Sequence, residues 1–416
     1  MAWPSVSVEM ALGTNPTSDL LEFDRGRFDF GTFAASTPYT DLSSIVRSVE
    51  IDRGRQHLLD HYDSGTATVT FDDSTGSLDP NNALGAYYPN VRVGARLRIR
   101  YTDGSTTYDR FHGFVQSYRV SYGHPKGVQV VVTAKDLLSV LARFTPAAPS
   151  APQGEGETVA LRLDRLCDLA QISESDRDFD AGESTMQATT LSQNLLTEAQ
   201  LTVDSEGGEL YVAVNGKLTF RDRHTRYEDT TSQVVQATFG DAAGEINYES
   251  LTLADLDATK VRNVVTVGAA GGDEVTVVDE VSQSRYFDRS LKLSNLIHQG
   301  GTTESTDHAR RELFFHADPV QRVDVVELLG LDKWTSQWAT VLALDYGYRV
   351  RVRRRPDSLT AVDAQCFVEG VRERVVRGEG FKFEFRTSPA AKVDAGIFIF
   401  DSATLGVLGT NTLAAW

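Results

Sequence analysis

Two stretches of this chain read alike, and their likeness constrains the fold more than any other feature. Residues 94–100 are GARLRIR and residues 347–353 are GYRVRVR, each a glycine followed by arginines that alternate with other, mostly apolar, residues. Alternation with a period of two is typical of a β-strand with one apolar face. Two further strands follow each stretch: 111–115 (FHGFV) and 128–133 (VQVVVT) in the first place, 368–371 (VEGV) and 381–387 (FKFEFRT) in the second.

Three strands in one order, with glycines at matching joints, predict an antiparallel module that is used twice. A chance likeness between short strands is the alternative. The sequence therefore predicts a mainly β fold with a smaller α+β region, in which two similar β-barrel-like domains flank an α+β insertion. The predicted parts are an extended segment (1–44), a first barrel-like domain (45–145), the insertion (156–225), a second barrel-like domain (232–389) and a C-terminal docking arm (390–416).

The insertion carries the clearest local patterns. Val159, Leu163 and Leu166 are spaced as on the apolar face of an amphipathic helix. Two alternating strands then flank Asn215 and Gly216, a pair that is typical of a two-residue type I′ hairpin. We therefore expect a helix followed by a hairpin in this region.

The charge of the chain limits its partners. Lys and Arg number 41 and Asp and Glu number 58, which gives a net charge of −17. A general nucleic-acid binder needs a basic footprint, so this balance suits a solvated surface or a channel that repels a polyanion. The two cysteines, Cys167 and Cys366, lie in apolar segments and are expected to be buried free thiols. We expect no secretory signal, no membrane span, and folding in a reducing cytoplasm.

Two clusters invite a metal site, and each has a simpler interpretation. The acidic stretch 72–81 lacks the regular spacing and closing glutamate of a calcium loop, so a solvated turn is favoured. His308, Glu312 and His316 follow one another along a helix face but lack the His-Glu-x-x-His spacing of zinc proteases. A capped surface helix is the favoured interpretation.

Catalytic motifs are not apparent in the sequence. Gly207 and Gly208 precede a strand and not a helix, so they do not form a phosphate-binding loop. No Gly-x-Ser-x-Gly elbow occurs. We therefore predict no catalytic residue, no cofactor and no metal site.

Two segments are candidates for protein interfaces. Arg349, Arg351 and Arg353 fall on one face of the second arginine strand, and arginine is enriched at interfaces. A solvated face and a nucleic-acid contact are the alternatives, and the acidic balance of the whole chain disfavours the second. The C-terminal strand has two apolar faces that need cover, either on a neighbouring subunit, with the terminal tryptophan as an anchor, or on its own domain. Its candidate contact residues are Ile397, Phe398, Ile399, Phe400 and Trp416.

Several short motifs occur along the chain in an order that matches a known family. They cover most of residues 45–416. They are 65–73 (GTATVTFDD) with the turn at 79–80, 87–90 (YYPN), 111–115, 132–138 (VTAKDLL), 206–208 (EGG), 220–223 (FRDR), 386–389 (RTSP) and the ending 400–416.

With these motifs the chain resembles minor tail proteins of long-tailed, siphovirus-type phages of actinobacteria, of the tail-tip or baseplate hub type. The resemblance implies a homotrimer in the virion that closes the tail tube and adapts sixfold to threefold symmetry. It implies as partners the distal tail protein, the tape measure protein and other minor tail or receptor-binding proteins, with DNA only in transit through the lumen and no stable membrane association. Assembly would occur in the host cytoplasm. The alternatives are a carbohydrate-binding adhesin of the tail tip and a cell-wall-degrading tail hydrolase.

Overall fold

A computed structural model describes most of the chain. The predicted docking arm lies almost wholly outside the described residues. Side chains are described for 3–12, 39–56, 58, 60–123, 127–147, 151–253, 259–319, 322–330, 334, 336–358 and 361–390, and the backbone alone for 254, 258, 397–398 and 413–414.

Strands dominate the described structure, as the sequence predicts. In chain order they are β1 (Ser5–Met10), β2 (Thr40–Asp41), β3 (Val46–Gly54), β4 (Asp63–Asp72), β5 (Arg96–Asp103), β6 (Thr106–Gly123), β7 (Gly127–Lys135), β8 (Glu157–Thr158), β9 (Arg177–Phe179), β10 (Thr185–Met186), β11 (Glu209–Val212), β12 (Leu218–Arg221), β13 (Ala237–Phe239), β14 (Ser250–Ala254), β15 (Val264–Ala269), β16 (Glu274–Val278), β17 (Ser290–Leu296), β18 (Arg322–Gly330), β19 (Arg349–Arg354), β20 (Val362–Val376), β21 (Gly380–Pro389), β22 (Ile397–Phe398) and β23 (Leu413–Ala414).

Helices α2 (Val159–Leu169) and α3 (Leu195–Glu206) begin at residues whose side chains cap them. Thr158 accepts a hydrogen bond from the Leu161 amide at the start of α2, and Asn194 accepts one from the Thr197 amide at the start of α3. Gly207 ends α3 in the left-handed conformation with φ 77°. The helices are α1 (Leu138–Leu141), α2 (Val159–Leu169), α3 (Leu195–Glu206), α4 (Thr225–Glu228), α5 (Thr230–Gln233), α6 (Glu280–Tyr286), α7 (Gly301–His316) and α8 (Ser336–Ala343).

One large sheet runs through both predicted barrel-like regions. Its order is β14-β18-β21-β20-β3-β4-β7-β6-β5-β1-β2, and β19 with β13 attaches beside β20. Among the described residues this path ends at β14 and β2, so the sheet is open and does not close into a barrel. The prediction of a mainly β fold with an α+β part is confirmed, while the barrels are not closed.

The repeated strands occupy matching places in this sheet. The Gly94 amide donates to the Val115 carbonyl at 2.7 Å, and the Gly347 amide donates to the Val368 carbonyl at 2.9 Å. β5, β6 and β7 pair in sequence, as do β19, β20 and β21. We call β3-β4-β7-β6-β5 the first copy and β14-β18-β21-β20-β19 the second copy.

One detail of the predicted alignment is wrong. The sequence comparison matched Gly113 with Gly370 as equivalent joints, but the registers match Val115 with Val368 and therefore Ser117 with Gly370. Each long strand has a bulge immediately after that valine, so the bulges correspond between the copies while the two glycines do not.

The two copies join through a direct strand pair. β3 of the first copy pairs antiparallel with the second half of β20, with Val49 opposite Val375. Side chains from both copies share one apolar core, which includes Phe71, Ile99 and Phe385. The α+β region between the copies packs around a second core, and β15, β17 and α7 enclose a small third one.

The hairpin predicted at Asn215 and Gly216 forms, but its turn differs from the prediction. β11 and β12 pair antiparallel. The Ala213 amide donates to the Lys217 carbonyl and the Gly216 amide to the Ala213 carbonyl, which makes a three-residue loop. Gly216 has φ 84° and supplies the left-handed residue that such a loop requires.

The acidic stretch 72–81 is a turn, as predicted, but it is not fully solvated. Asp73 is 1% exposed, and its carboxylate accepts hydrogen bonds from the amides of Ser77 at 3.0 Å and Leu78 at 2.7 Å. Asp79 is also buried and accepts from the Asn81 amide. These carboxylates organise the loop by capping its turns.

Phe287 holds a strained backbone conformation while its ring is exposed. Its φ is 60° and its ψ 179°, a region almost exclusive to glycine, and the side chain is 81% exposed. The buried Asn263 fixes this geometry, since its amide donates to the Phe287 carbonyl at 2.8 Å and accepts from the Arg289 amide at 2.7 Å. We expect Phe287→Gly to raise the free energy of unfolding by about 1 kcal/mol in urea titrations. Phe287→Ala keeps the strain and is the control; equal effects of the two variants would contradict this explanation.

Candidate functional site

The arginines predicted as an interface lie on β19, where acidic side chains of the same chain pair with Arg351 and Arg353. Arg351 binds both carboxylate oxygens of Asp363 at 2.7 Å. Arg353 lies 3.3 Å from Glu245 and 3.4 Å from Asp363. Arg349 is buried and donates to Gln365 at 3.0 Å. Their role as a contact surface for another subunit stays a prediction.

The first copy repeats this arrangement on β5. Arg98 and Arg100 both bind Glu9, and Arg96 lies 3.2 Å from Asp176. The Arg96 guanidinium stands 5.4 Å from the ring centre of Phe114, as that of Arg349 stands 5.3 Å from Phe367. Most arginines of both strands thus pair with carboxylates of the same chain, which lowers their affinity for phosphate.

The C-terminal candidates are hardly described. The backbone of Ile397 and Phe398 forms β22, which pairs parallel with β23. Ile399, Phe400 and Trp416 lie outside the described residues. Docking of this arm on a neighbour stays a prediction.

A buried ionic junction, which the sequence analysis missed, ties together the two copies and the α+β region. It consists of Arg55 after β3, Glu369 on β20, Glu209 on β11 and Arg226 on α4. Glu369 is fully buried and accepts hydrogen bonds from Arg55 at 2.8 Å and from Arg226 at 2.8 and 3.0 Å. Glu209 also binds both arginines. The junction therefore joins segments that are far apart in sequence.

The strand bulge explains how Glu369 reaches this position. Val368 pairs with Thr387 and Gly370 with Arg386, so Glu369 is the extra residue between them. Burial alone raises the pKa of Glu369, but the guanidinium groups of Arg226 and Arg55 outweigh it and hold the pKa at about 2. The carboxylate therefore stays ionised at neutral pH.

A cavity of about 550 Å³ lies beside the junction, between the sheet, the α+β region and α7. This volume is within the range of ligand cavities. Its lining includes Tyr62, Asp204, Arg226, His308 and Phe315.

The face of α7 with His308, Glu312 and His316 forms one wall of this cavity, so the interpretation as a surface helix is wrong for this face. His308 is 4% exposed and donates through Nε2 to the Asp204 carbonyl at 2.9 Å. Burial lowers the pKa of His308 to about 3, so its ring is neutral at physiological pH. Burial raises the pKa of Glu312.

The remaining candidate features are a metal site, a membrane-spanning helix and the two cysteines. Within the ranges that the structure describes, no three His, Cys, Asp or Glu side chains come together in a way that could hold a metal ion. Each helix in the described ranges is too short or too polar to span a bilayer. Cys167 and Cys366 are both buried and unbridged, and burial raises the pKa of each thiol.

Comparisons with known proteins identify the fold. No protein-family model and no curated protein matches the sequence. A tail protein from Neisseria meningitidis MC58 superposes with a TM-score of 0.56 at 15% identity, covering 92% of this chain and 96% of that one. The 43 kDa tail protein of prophage MuSo2 from Shewanella oneidensis superposes with a TM-score of 0.56 at 12% identity, covering 94% and 98%.

A third similar structure is longer than this chain. It belongs to a Francisella PdpA–VgrG complex in its lidded state, with a TM-score of 0.51 at 8% identity. The match covers 94% of this chain and 53% of that one. The chain therefore shares its fold with phage tail proteins.

Proposed function

We propose that this chain is a structural protein of a phage tail tip. The observation that carries the proposal is the presence of two copies of one five-strand arrangement in a single chain, joined through β3 and β20. Three such chains offer six similar modules, so a homotrimer can join a sixfold tube to threefold parts. The shared fold with phage tail proteins supports this function.

In this proposal the chain closes the tail tube as a baseplate hub. It anchors the distal tail protein, the tape measure protein and other minor tail proteins, and the virion belongs to a long-tailed actinobacteriophage. Its lumen is neutral or acidic, because DNA in transit would bind a surface of unpaired arginines. The ion pairs on β5 and β19 fit this requirement.

Light scattering of the purified chain tests the assembly. We expect three times the chain mass of 45.7 kDa. Immunogold labelling of virions is expected to mark the tail tip; labelling along the whole tube or on the capsid would contradict the proposal.

We also propose that the protein has no catalytic activity. The pure protein is expected to leave host cell-wall material intact. Turnover that a single carboxylate substitution abolishes would support the hydrolase alternative instead.

A further inference from the structure

The two copies differ at one strand edge. In the second copy, the second half of β20 pairs with β21 on one side and with β3 on the other. In the first copy, the matching half of β6, residues 117–123, pairs with β7. No described strand lies on its other side. We call residues 117–123 the open β6 edge.

A complementary edge is open in the second copy. β14 matches β3, because each is the outer strand beside the matching pair β18 and β4. β3 uses its outer edge to pair with β20, whereas the outer edge of β14 has no strand partner among the described residues. An unpaired edge presents free amides and carbonyls that favour strand addition.

Side-chain burial shows the same difference. Val375 on β20 is 8% exposed, while Tyr122 at the matching position of β6 is 71% exposed. Val49, opposite Val375, is 1% exposed, while the matching Leu251 on β14 is half-buried. The same positions are thus covered where the joint exists within the chain and uncovered where it does not.

We propose that β14 of one subunit pairs with the open β6 edge of a second copy of this chain, repeating between subunits the joint that β3 and β20 make within one. The β3–β20 register, applied here, sets Leu251 opposite Tyr122 and Thr252 opposite Ser121. This inference rests on the proposed trimer, for which it supplies the contact.

The two open edges differ from each other, so the contact is heterologous and each chain both gives and receives a strand. Such contacts form a closed ring when the rotation per joint divides the circle. If the β3–β20 joint within a chain and the β14–β6 joint between chains each rotate the next copy by one sixth of a turn, three chains make a closed ring with six joints. This arrangement also covers the edges that would otherwise promote aggregation.

Engineered disulfides test the contact. The double variant Ser121→Cys/Thr252→Cys places thiols on opposed, exposed positions, while the native Cys167 and Cys366 are buried. After oxidation we expect covalent dimers and trimers on a non-reducing gel, with no species beyond three chains. Glu50→Cys/Arg374→Cys is the matched control, because these residues are opposed within one chain and should link at monomer mass. Each single variant alone should stay uncrosslinked.

The outcomes separate this inference from the proposed function. A trimer by light scattering that does not crosslink, while the Glu50→Cys/Arg374→Cys control does, overturns the strand pairing and leaves the trimer standing. A monomer at every concentration, again without crosslinks, overturns both.

A charge substitution gives an independent measurement. Tyr122→Lys would bury an ammonium group in the proposed contact, so we expect the trimer to dissociate at least about tenfold more readily, with unchanged melting of the single chain. Val281→Lys, at a position that is 60% exposed on α6, is the control and should not affect assembly. Equal trimer stability in both variants would overturn the inference.

Discussion

Replacing Glu369 with glutamine is expected to lower the free energy of unfolding by roughly 3–5 kcal/mol, because the change leaves the buried Arg55 and the largely buried Arg226 with one carboxylate between them. The shape of the side chain is nearly kept, so the loss reports charge and not packing. Urea unfolding followed by tryptophan fluorescence measures it. Glu50→Gln is the control, since Glu50 and its partner Arg372 are both about half exposed and such pairs contribute at most about 1 kcal/mol.

The same junction predicts a dependence on acid. Because the pKa of Glu369 is about 2 in the folded chain and near 4.5 when exposed, its contribution is complete above pH 4.5 and disappears as the pH falls toward 2. The Glu369→Gln variant should therefore lose less stability than the parent between pH 5 and pH 3. Parallel curves for the two proteins would contradict this assignment.

The second large effect concerns a buried pair inside the shared core. Arg110 on β6 and Glu373 on β20 are both fully buried, with nitrogen–oxygen distances of 2.6, 3.1 and 3.3 Å. Arg110 also donates to the Leu342 carbonyl at 2.6 Å. Arg110→Met should lower the free energy of unfolding by roughly 3–5 kcal/mol, because it leaves the Glu373 carboxylate without its cationic partner in an apolar environment.

The double variant Arg110→Met/Glu373→Val should be more stable than Arg110→Met alone. Valine suits this position, because the matching residue in the first copy is Val120. Replacing a whole buried pair by apolar residues is often neutral or stabilising, whereas removing one partner is not. A double variant as unstable as the sum of the two single changes would show that the pair is not coupled.

The parts of the fold that follow from local patterns could be predicted from the sequence. The period-two arginine strands predicted the matching positions of β5 and β19, and the spacing of Val159, Leu163 and Leu166 predicted α2. The hairpin of β11 and β12 followed from its turn residues. Domain boundaries stay a prediction, since both copies share one core.

The ionic junction could not be predicted in the same way. Arg55 and Glu369 are 314 positions apart, and no local pattern links them. Glu369 also sits on a bulge, which breaks the alternation that otherwise tells an inward side chain from an outward one.

The joint between β3 and β20 has a consequence for synthesis on the ribosome. Glu50 and Arg372, which meet across this joint, are 322 positions apart. At roughly 5–20 residues per second, the nascent β3 waits on the order of 15–60 s before its partner strand is translated. The open β6 edge emerges much sooner and resembles the edge of β20. During this interval the open β6 edge of the same or a neighbouring nascent chain offers β3 a competing partner, which is the situation in which strand exchange between chains arises.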